Sequence, residues 1–460
     1  MKRVIIYILA VMVTGAGCKK TYDDTVGGKT ADQRITEALA TYQKILLSAP
    51  YGWIFVESTT GIAYNQGVSQ TGPKIVLGYY MQFVDSNNVM MLSDFDTSMT
   101  GTPKTSGYRI KALTRPALIF DTYSYLHVPC DPDPNISKSP FGTGYGWGTD
   151  FEFSFADSTV PAETADSIRL TGNLNGASGI LIKATQAQRD DYLQGKTKNN
   201  MIGLGNLNKI LNYFKRLTFG GVSYDIRVDL DNRTITFTWK DGSGNLQTQT
   251  SSYYFTGTGV ALITPIVNGS TTITSVDNIS WNGSFTLFAV TVNGQQGQIV
   301  GATTPVIADA GAPARWWNYS AANGYFWGSW DGFHVNGVDD AFDVRDLVDG
   351  GKNYYVYIYW SDYFTNPADL FIPVTADATS LYLNSYGTAP GKPTFSGGKA
   401  FFHELGKPTG NPTPPGGPVD LSEQTLYNTA GYYFVQTGDK SYDMVLATDA
   451  KTWISWFWPR

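Results

Sequence analysis

The sequence predicts a mainly β protein with a few helices, an α+β chain built from tandem antiparallel sheets. Three observations support this fold class. Only 16% of the 460 residues are charged while 14% are aromatic, and 49 are glycine, a composition that favours strands and turns. Short runs rich in Val, Ile, Tyr and Phe alternate with turn residues. A segment that starts near Tyr80 recurs at an offset of 144 residues, which predicts an internal duplication.

The first 18 residues have the parts of an export signal. Two basic residues precede an apolar run over 4–13, and small residues follow up to Cys18. The run is too short to span a bilayer, which needs about 20 residues. Cys18 resembles the lipobox cysteine of bacterial lipoproteins, although Gly15 stands where that pattern prefers Leu. We expect residues 1–17 to be a lipoprotein signal peptide and Cys18 to carry the lipid; the alternative is an ordinary signal peptide with an incidental cysteine.

Composition shifts divide the rest of the chain. Residues 18–30 are polar and contain glycine, so we expect a flexible tether. Residues 31–200 and 201–301 are predicted to form two related helix-plus-β units. Residues 302–460 are predicted to form a C-terminal β-rich region, which begins with a connector rich in Ala, Thr, Pro and Gly.

Helices are predicted before each sheet. Apolar residues recur at helical spacing over 31–48, and Pro50 follows, which indicates an amphipathic helix that packs on a sheet. Two shorter helices are predicted over Gln186–Leu193 and 207–217. Because one helix precedes each copy of the repeat, we expect each sheet to be partly covered by a helix.

The repeat itself consists of a hairpin, a loop, a Ser-x-Tyr strand and an Ala-Leu-Ile strand. Its corresponding residues, at offsets of 144 or 145, are Tyr80 and Tyr224, Asp85 and Asp229, Tyr108 and Tyr253, and Leu118 and Leu262. The offset stays nearly constant along the repeat, so duplication explains the matches better than chance does.

Composition alone argues against several function classes. The net charge is −6, which argues against nucleic acid as a partner. Three histidines and two cysteines argue against a multi-histidine metal centre or a disulfide framework, and no cofactor motif occurs. We expect Cys130 to be a free thiol. His127, His334 and His403 lack a catalytic motif around them, so no catalytic residue is assigned.

The carboxylates leave two kinds of functional site open, a glycoside hydrolase centre and a calcium site. Asp150 and Glu152 are two residues apart on a predicted strand, and a dense acidic segment spans 339–349; either could supply the two acids of a glycoside hydrolase. Asp131, Asp133 and Asn135 place oxygen atoms at alternate positions, as in the first turn of a calcium loop. The intervening prolines favour a stiff extended segment instead, and no metal ligand is assigned.

An aromatic cluster at 315–333 is the strongest candidate for a ligand surface. Tryptophan offers an apolar body with a polar tip, and Gly, Asn and Ser interrupt this segment. The predicted ligand-binding residues are Trp316, Trp317, Trp327 and Trp330. The alternative is that these rings fill a β core.

Several segments resemble one known family. ADQRITEALATYQKILLSAPYGW, SDFDTS, SGYRIKALTRPALIFDTYSYLH, DPDPN and GTDFEF resemble a domain-of-unknown-function family of Bacteroidetes surface lipoproteins, most densely over 31–200. The family carries no assigned catalytic residues. The resemblance implies a cell-surface accessory protein associated with SusC/SusD-type outer-membrane uptake systems.

Together these features predict a lipid-anchored protein of the outer membrane that faces the cell surface. We expect a non-catalytic binding component that captures glycan or peptide for a SusC/SusD-type nutrient uptake system. One alternative is a carboxylate-dependent glycoside hydrolase, and another is a structural subunit of the uptake complex without a ligand of its own.

Overall fold

The computed structural model describes residues 27–113, 115–157, 160–162, 164–364 and 368–460. Cys18 and the predicted signal peptide therefore lie outside the described residues. Within those ranges the chain divides into two compact units. Unit 1 holds the residues up to Gln70, Tyr80–Met91 and Lys104–Thr185, and unit 2 holds Thr71–Tyr79, Leu92–Pro103 and Gln186–Arg460.

Strands account for 44% of the chain and helices for 17%, so the prediction of a mainly β fold with a few helices is confirmed. Among the described helices, none combines the length and the apolar character that a membrane crossing requires.

Helix α1 (Ala31–Leu47) opens the described chain, as predicted. A capping box between Thr30 and Gln33 begins it, because these side chains satisfy the free N–H groups of the first turn. The ring of Tyr42 stacks on Phe155 with centroids 3.6 Å apart. Two one-turn helices, α2 (His127–Cys130) and α3 (Pro134–Ser137), follow later in the loops of unit 1.

Eight strands close into a first barrel. They are β1 (Trp53–Ser58), β4 (Val76–Phe83), β5 (Asn88–Ser93), β6 (Lys104–Ala112), β7 (Pro116–Phe120), β8 (Glu152–Phe155), β9 (Ser167–Gly172) and β10 (Ser178–Lys183). Their order is β1-β10-β9-β8-β7-β6-β5-β4, and β1 pairs antiparallel with β10. Between the first two of these strands, β2 (Ile62–Asn65) and β3 (Val68–Thr71) form a separate two-stranded sheet.

A second closed barrel follows α4 (Gln186–Leu193), α5 (Lys196–Asn206) and a 3-10 turn at Leu207–Lys209. Its strands, in sheet order, are β11 (Phe214–Phe219), β12 (Val222–Asp229), β13 (Thr234–Lys240), β14 (Leu246–Phe255), β15 (Gly259–Asn268), β16 (Thr271–Trp281), β17 (Leu287–Val292) and β18 (Gln295–Ala302). Helix α4 has the predicted bounds.

The predicted helix over 207–217 is wrong. Only its first three residues are helical, and the rest runs into β11. Leu217 and Phe219 alternate inward with a period of two and are buried, while the backbone of β11 pairs with both β12 and β18. A short apolar run fits both periods, and the pairing available on both sides of β11 decides in favour of a strand.

The two barrels carry the repeat at equivalent places. Corresponding residues lie on β4 and β12, β6 and β14, and β7 and β15. At the first hairpin turn Asp85 accepts hydrogen bonds from the backbone and side-chain nitrogens of Asn88, and Asp229 does the same for Asn232. The tandem sheets are thus confirmed, and these matching turns support the duplication. Helical cover of each sheet stays a prediction.

The C-terminal region forms an eleven-stranded sheet with the order β24-β23-β22-β19-β31-β30-β29-β27-β26, in which β20 also pairs with β31 and β21 with β22. Its strands are β19 (Trp327–Ser329), β20 (Phe333–Val335), β21 (Val348–Asp349), β22 (Lys352–Trp360), β23 (Leu370–Ala376), β24 (Leu381–Leu383), β26 (Thr394–Ser396), β27 (Lys399–Phe401), β29 (Tyr432–Gly438), β30 (Ser441–Leu446) and β31 (Thr452–Phe457).

Further short elements accompany this sheet. Strands β25 (Ala389–Pro390) and β28 (Glu404–Gly406) form a separate pair. Helices α6 (Ala312–Asn323) and α7 (Pro418–Leu426) and a 3-10 turn at Val344–Asp346 complete the region. One face of the large sheet packs with α6 and α7 around a core of aromatic side chains.

Candidate functional site

Three of the four predicted ligand-binding tryptophans are core residues. Trp316 is 0% exposed, Trp317 7% and Trp327 1%, so the expectation that they form a solvent-facing surface is wrong for these three. Trp316 lies with its centroid 4.7 Å from Tyr359 and 4.9 Å from Phe434. The indole N–H of Trp317 donates to Asp369 over 2.7 Å. Tyr359 and Phe434 belong to strands β22 and β29, and Asp369 directly precedes β23.

A helix signal was present in this segment. Pro313 lies in the first turn of α6, and Gly324 ends the helix in a left-handed conformation, which is the usual placement of these two residue types. Residues 316, 317 and 320 are buried on the face of this helix. The spacing of the rings therefore favours a helix on a core rather than an exposed loop.

Trp330 is the exception, since 52% of its surface is exposed. It stacks on Phe457 with centroids 4.7 Å apart and an interplanar angle of 15°, and it meets Tyr355 edge-on. The Tyr354 hydroxyl donates to the carbonyl oxygen of Trp330 over 3.0 Å. A Cβ atom at Gly328 would lie 2.9 Å from Phe457 Cζ, so glycine leaves room for the ring beneath Trp330.

Two clefts meet at Trp330. The first, here called the apolar groove, has a volume of about 470 Å³. Its walls include Trp330, Tyr355, Val356, Ile358, Tyr382 and Phe457. The second, here called the polar pocket, has a volume of about 270 Å³. It shares Trp330 and Phe457 with the groove and adds Asp331, His334, Asp339, Asp340 and Asp443.

The carboxylates of the polar pocket have different surroundings. Asp339 Oδ1 lies 2.6 Å from His334 Nδ1, and Asp331 contacts Arg345. Asp340 accepts from the backbone N–H groups of Val344 and Arg345, yet burial raises its pKa.

Asp443 reaches the polar pocket from β30. Its Oδ2 accepts from the Tyr213 hydroxyl over 2.6 Å. Burial raises the pKa of Asp443. The pocket thus combines an exposed indole face with several hydrogen-bond acceptors, the combination that suits a sugar ring: its C–H face stacks on tryptophan and its hydroxyls donate to carboxylates.

A family model described as domain of unknown function (DUF4302) matches residues 23–283. The chain belongs to this family. No curated protein matches the chain. The DUF4302 match covers the first barrel and the second barrel up to β16, so Trp330 and the polar pocket lie outside it.

Within the DUF4302 region, the Asp150 member of the predicted carboxylate pair with Glu152 is engaged by backbone groups. The Asp150 carboxylate is buried and accepts from the backbone N–H groups of Leu174, Asn175 and Ala177. These bonds hold the loop between β9 and β10. Glu152 begins β8. Asp150 therefore has a structural role that occupies both of its oxygens.

In the segment of the DUF4302 region that resembles a calcium loop, the carboxylates also accept hydrogen bonds from backbone N–H groups. Asp131 Oδ1 accepts from the N–H of Asp133, and Asp133 Oδ1 accepts from the N–H of Asn135 at the start of α3. Asp131 Oδ2 accepts from the Tyr123 hydroxyl. In the part of the chain that the structure describes, no group of three or more His, Cys, Asp or Glu side chains is arranged to hold a metal ion.

The remaining titratable candidates have local partners. In the DUF4302 region His127 Nδ1 accepts from the N–H of Ser124, and burial lowers its pKa. Cys130 is a free thiol, as predicted, and it donates to Leu126 O over 3.2 Å. Burial raises its pKa, so this cysteine is poorly suited to act as a nucleophile.

Proposed function

We propose that this protein is a lipid-anchored accessory protein of the outer cell surface that binds glycans for a SusC/SusD-type uptake system, as in Bacteroidetes. The observation that carries the proposal is Trp330, an exposed indole that forms one wall of a pocket rich in carboxylates. Cys18 would carry the lipid, and the polar residues after it would let the folded body reach its partners.

The position of Trp330 supports binding because its ring is already fixed. Phe457 supports one face of the indole, Tyr355 contacts it edge-on, and the Tyr354 hydroxyl holds its backbone. A ligand that stacks on this ring orders few new side chains, so less conformational entropy is lost on binding.

Glycan is favoured over peptide by the acceptors beside the indole. Asp331, Asp339 and Asp340 line the polar pocket, and ionised carboxylates accept hydrogen bonds from sugar hydroxyls. The apolar groove on the other side of Trp330 has an aliphatic floor of Val356 and Ile358. That surface would suit apolar peptide side chains, which makes peptide the alternative ligand class.

A glycan array followed by titration calorimetry tests the proposal. The intact protein should bind at least one glycan, and Trp330→Ala should weaken that binding by about 1–3 kcal/mol, the usual cost of losing an aromatic anchor. Trp281→Ala is the matched control, since Trp281 is also partly exposed but lies on β16. The proposal fails when no glycan binds, or when both variants bind like the parent protein.

The anchor and the uptake partners have separate tests. Cys18→Ala should move the protein from the membrane fraction to the soluble fraction, and unchanged fractionation would exclude the lipid anchor. Affinity purification of the intact protein should recover a SusC/SusD-type pair. Recovery of the pair without any glycan binding would favour the structural-subunit alternative.

A glycoside hydrolase is a second candidate because burial raises the pKa of both Asp340 and Asp443 in one pocket. A protonated acid beside an ionised carboxylate is the arrangement that glycoside hydrolysis requires. New reducing ends should appear when a bound glycan is incubated with the protein, and Asp443→Asn should abolish them. A glycan recovered intact after prolonged incubation would exclude this activity.

A further inference from the structure

A third cleft lies in unit 2 and shares two residues, Thr437 and Trp453, with the polar pocket. It has a volume of about 540 Å³ and is here called the barrel groove. One wall is the outer surface of β12, β13 and β14, where the hydroxyls of Thr236 and Thr250 form a 2.8 Å hydrogen bond. Residues of β29 and β31 form the other wall.

The carboxylates of the barrel groove are neutralised by arginines. Asp225 Oδ1 lies 2.6 Å from Arg216 Nε, and Asp309 Oδ2 lies 2.6 Å from Arg315 Nη2. Each pair brings together one acid and one base, so the two pairs contribute no net charge to the groove.

Two cations of the groove have no such partner. Lys215 and Arg227 line it from β11 and β12, and within the described ranges neither forms an ion pair. Lys215 Nζ donates to the carbonyl oxygen of Asn212 over 3.4 Å, which is a long contact for a charged donor. Arg227 interacts electrostatically with the Asp443 carboxylate, so Lys215 carries the positive charge of this end that no carboxylate of the described residues balances.

Burial lowers the pKa of Lys215 to about 8. The charged or titratable groups around the groove are Arg216, Asp225 and Arg227 on the barrel strands, Tyr213 before them, and Asp309 with its partner Arg315. Asp443 on β30 also belongs to this set, because it accepts from the Tyr213 hydroxyl and interacts with Arg227. The pKa of Tyr213 is raised by burial and by Asp443, so this phenol stays neutral over the range in which Lys215 loses its proton.

Apolar side chains occupy the wall opposite the cations. Tyr433, Val435 and Trp453 contribute to it from β29 and β31, and Phe214 packs among Tyr433, Val435 and Trp453 in the same cluster. A ligand that fits this cleft needs an anionic group for one end and an apolar body for the other.

We propose that the barrel groove binds a small amphipathic carboxylate, with its anionic group at Lys215 and Arg227 and its apolar body against Tyr433, Val435 and Trp453. This site differs from the glycan site in its anchor, since Trp330 is not part of it, although the two clefts share Thr437 and Trp453. An anion at Lys215 stabilises the charged ammonium, so binding takes up a proton whenever the free amine has lost one.

Decanoate and decanol form the probe pair, because they share an apolar chain and differ in charge. Titration calorimetry at pH 7 should give decanoate at least about tenfold higher affinity than decanol, the usual effect of a charge-assisted hydrogen bond. Phenylbutyrate is a third probe. Comparing its affinity with that of decanoate shows whether the groove prefers an aryl acid or a linear acyl chain. Equal affinity for decanoate and decanol would overturn the proposal.

Two lysine variants test whether decanoate binds at Lys215. Lys215→Met should lower decanoate affinity by about tenfold and leave decanol affinity unchanged, whereas Lys240→Met should change neither, since Lys240 ends β13 outside the groove. Equal effects of these two variants would contradict the site.

The pH dependence of decanoate binding separates the effect of the Lys215 charge from a structural effect of the side chain. In the parent protein, decanoate affinity should fall above about pH 8, where Lys215 deprotonates. Lys215→Arg should still bind at pH 7 and should lose this decline, because arginine stays protonated. A decline that persists in Lys215→Arg would show that another group controls binding. Matching circular dichroism spectra establish that each variant is folded.

Discussion

Arg233 Nη1 lies 2.7 Å from Asp94 Oδ1, and both side chains are buried in unit 2. The Asp94 carboxylate also accepts from the backbone N–H groups of Gly78 and Phe255. Arg233 donates in addition to the carbonyl oxygens of Val76 and Asp94. The pair is therefore satisfied on both sides, which is the condition under which a buried ion pair is tolerated.

Asp94→Ala should destabilise the protein by about 3–5 kcal/mol, because it leaves the Arg233 guanidinium buried without its counter-charge. Chemical denaturation measures this free energy of unfolding. Glu37→Ala is the control: it removes the exposed pair with Lys29 and should cost less than about 1 kcal/mol. The double variant Asp94→Asn with Arg233→Met should be more stable than Asp94→Ala, and the opposite order would contradict the role assigned to the pair.

Trp316→Ala and Trp330→Ala should separate stability from binding. Trp316 is fully buried, so its truncation should cost about 3–5 kcal/mol of unfolding free energy. Trp330 is half exposed, so its truncation should cost less than about 1.5 kcal/mol of unfolding free energy while it weakens glycan binding by about 1–3 kcal/mol. Thermal melts and calorimetry on the same samples give both readouts. A large loss of stability in Trp330→Ala would mean that this residue is structural.

Lys215 should make the stability of the protein depend on pH. Its folded pKa of about 8 lies below the usual lysine value of about 10.4. Between these values the unfolded chain holds the proton and the folded chain does not, so stability rises with pH across this window. Lys215→Met should remove that rise and should melt at a higher temperature than the parent protein at pH 7. The Tm of Lys240→Met should follow the parent curve.

Cys130 should react slowly with maleimide while the protein is folded. Its thiol is buried beside Thr149 and its pKa is raised, and both the accessibility and the thiolate fraction control the rate. The Cys18→Ala variant isolates this thiol, and mass spectrometry follows the labelling with and without denaturant. Equal rates in the two conditions would show that Cys130 is accessible in the native state.

Local patterns predicted the parts of the fold that depend on local physics. The apolar spacing of α1, the Pro50 that follows it and the matched positions of Asp85 and Asp229 in the repeat were found in the sequence. Closure of the barrels could not, because the pairing of β11 with β18 joins segments that are distant in the chain and leaves no local mark. For the same reason the short run after Leu207 was mistaken for a helix.

The candidate site was predicted only in part. Trp330 belongs to the aromatic cluster, whereas the burial of Trp316 depends on strands far along the chain, such as those of Tyr359 and Phe434. The polar pocket brings Asp331 and Asp443 together across a long sequence separation. No spacing rule connects such residues, so only the folded chain identifies them as neighbours.

Strands β17 and β18 have a practical consequence for how the chain can be divided. The DUF4302 match ends at residue 283, before these two strands, yet β18 is the strand that pairs with β11 to close the second barrel. A fragment cut at the family boundary would leave β11 and β16 with open edges, and open edges of this kind recruit other chains. The smallest piece that keeps the second barrel closed therefore extends to at least Ala302.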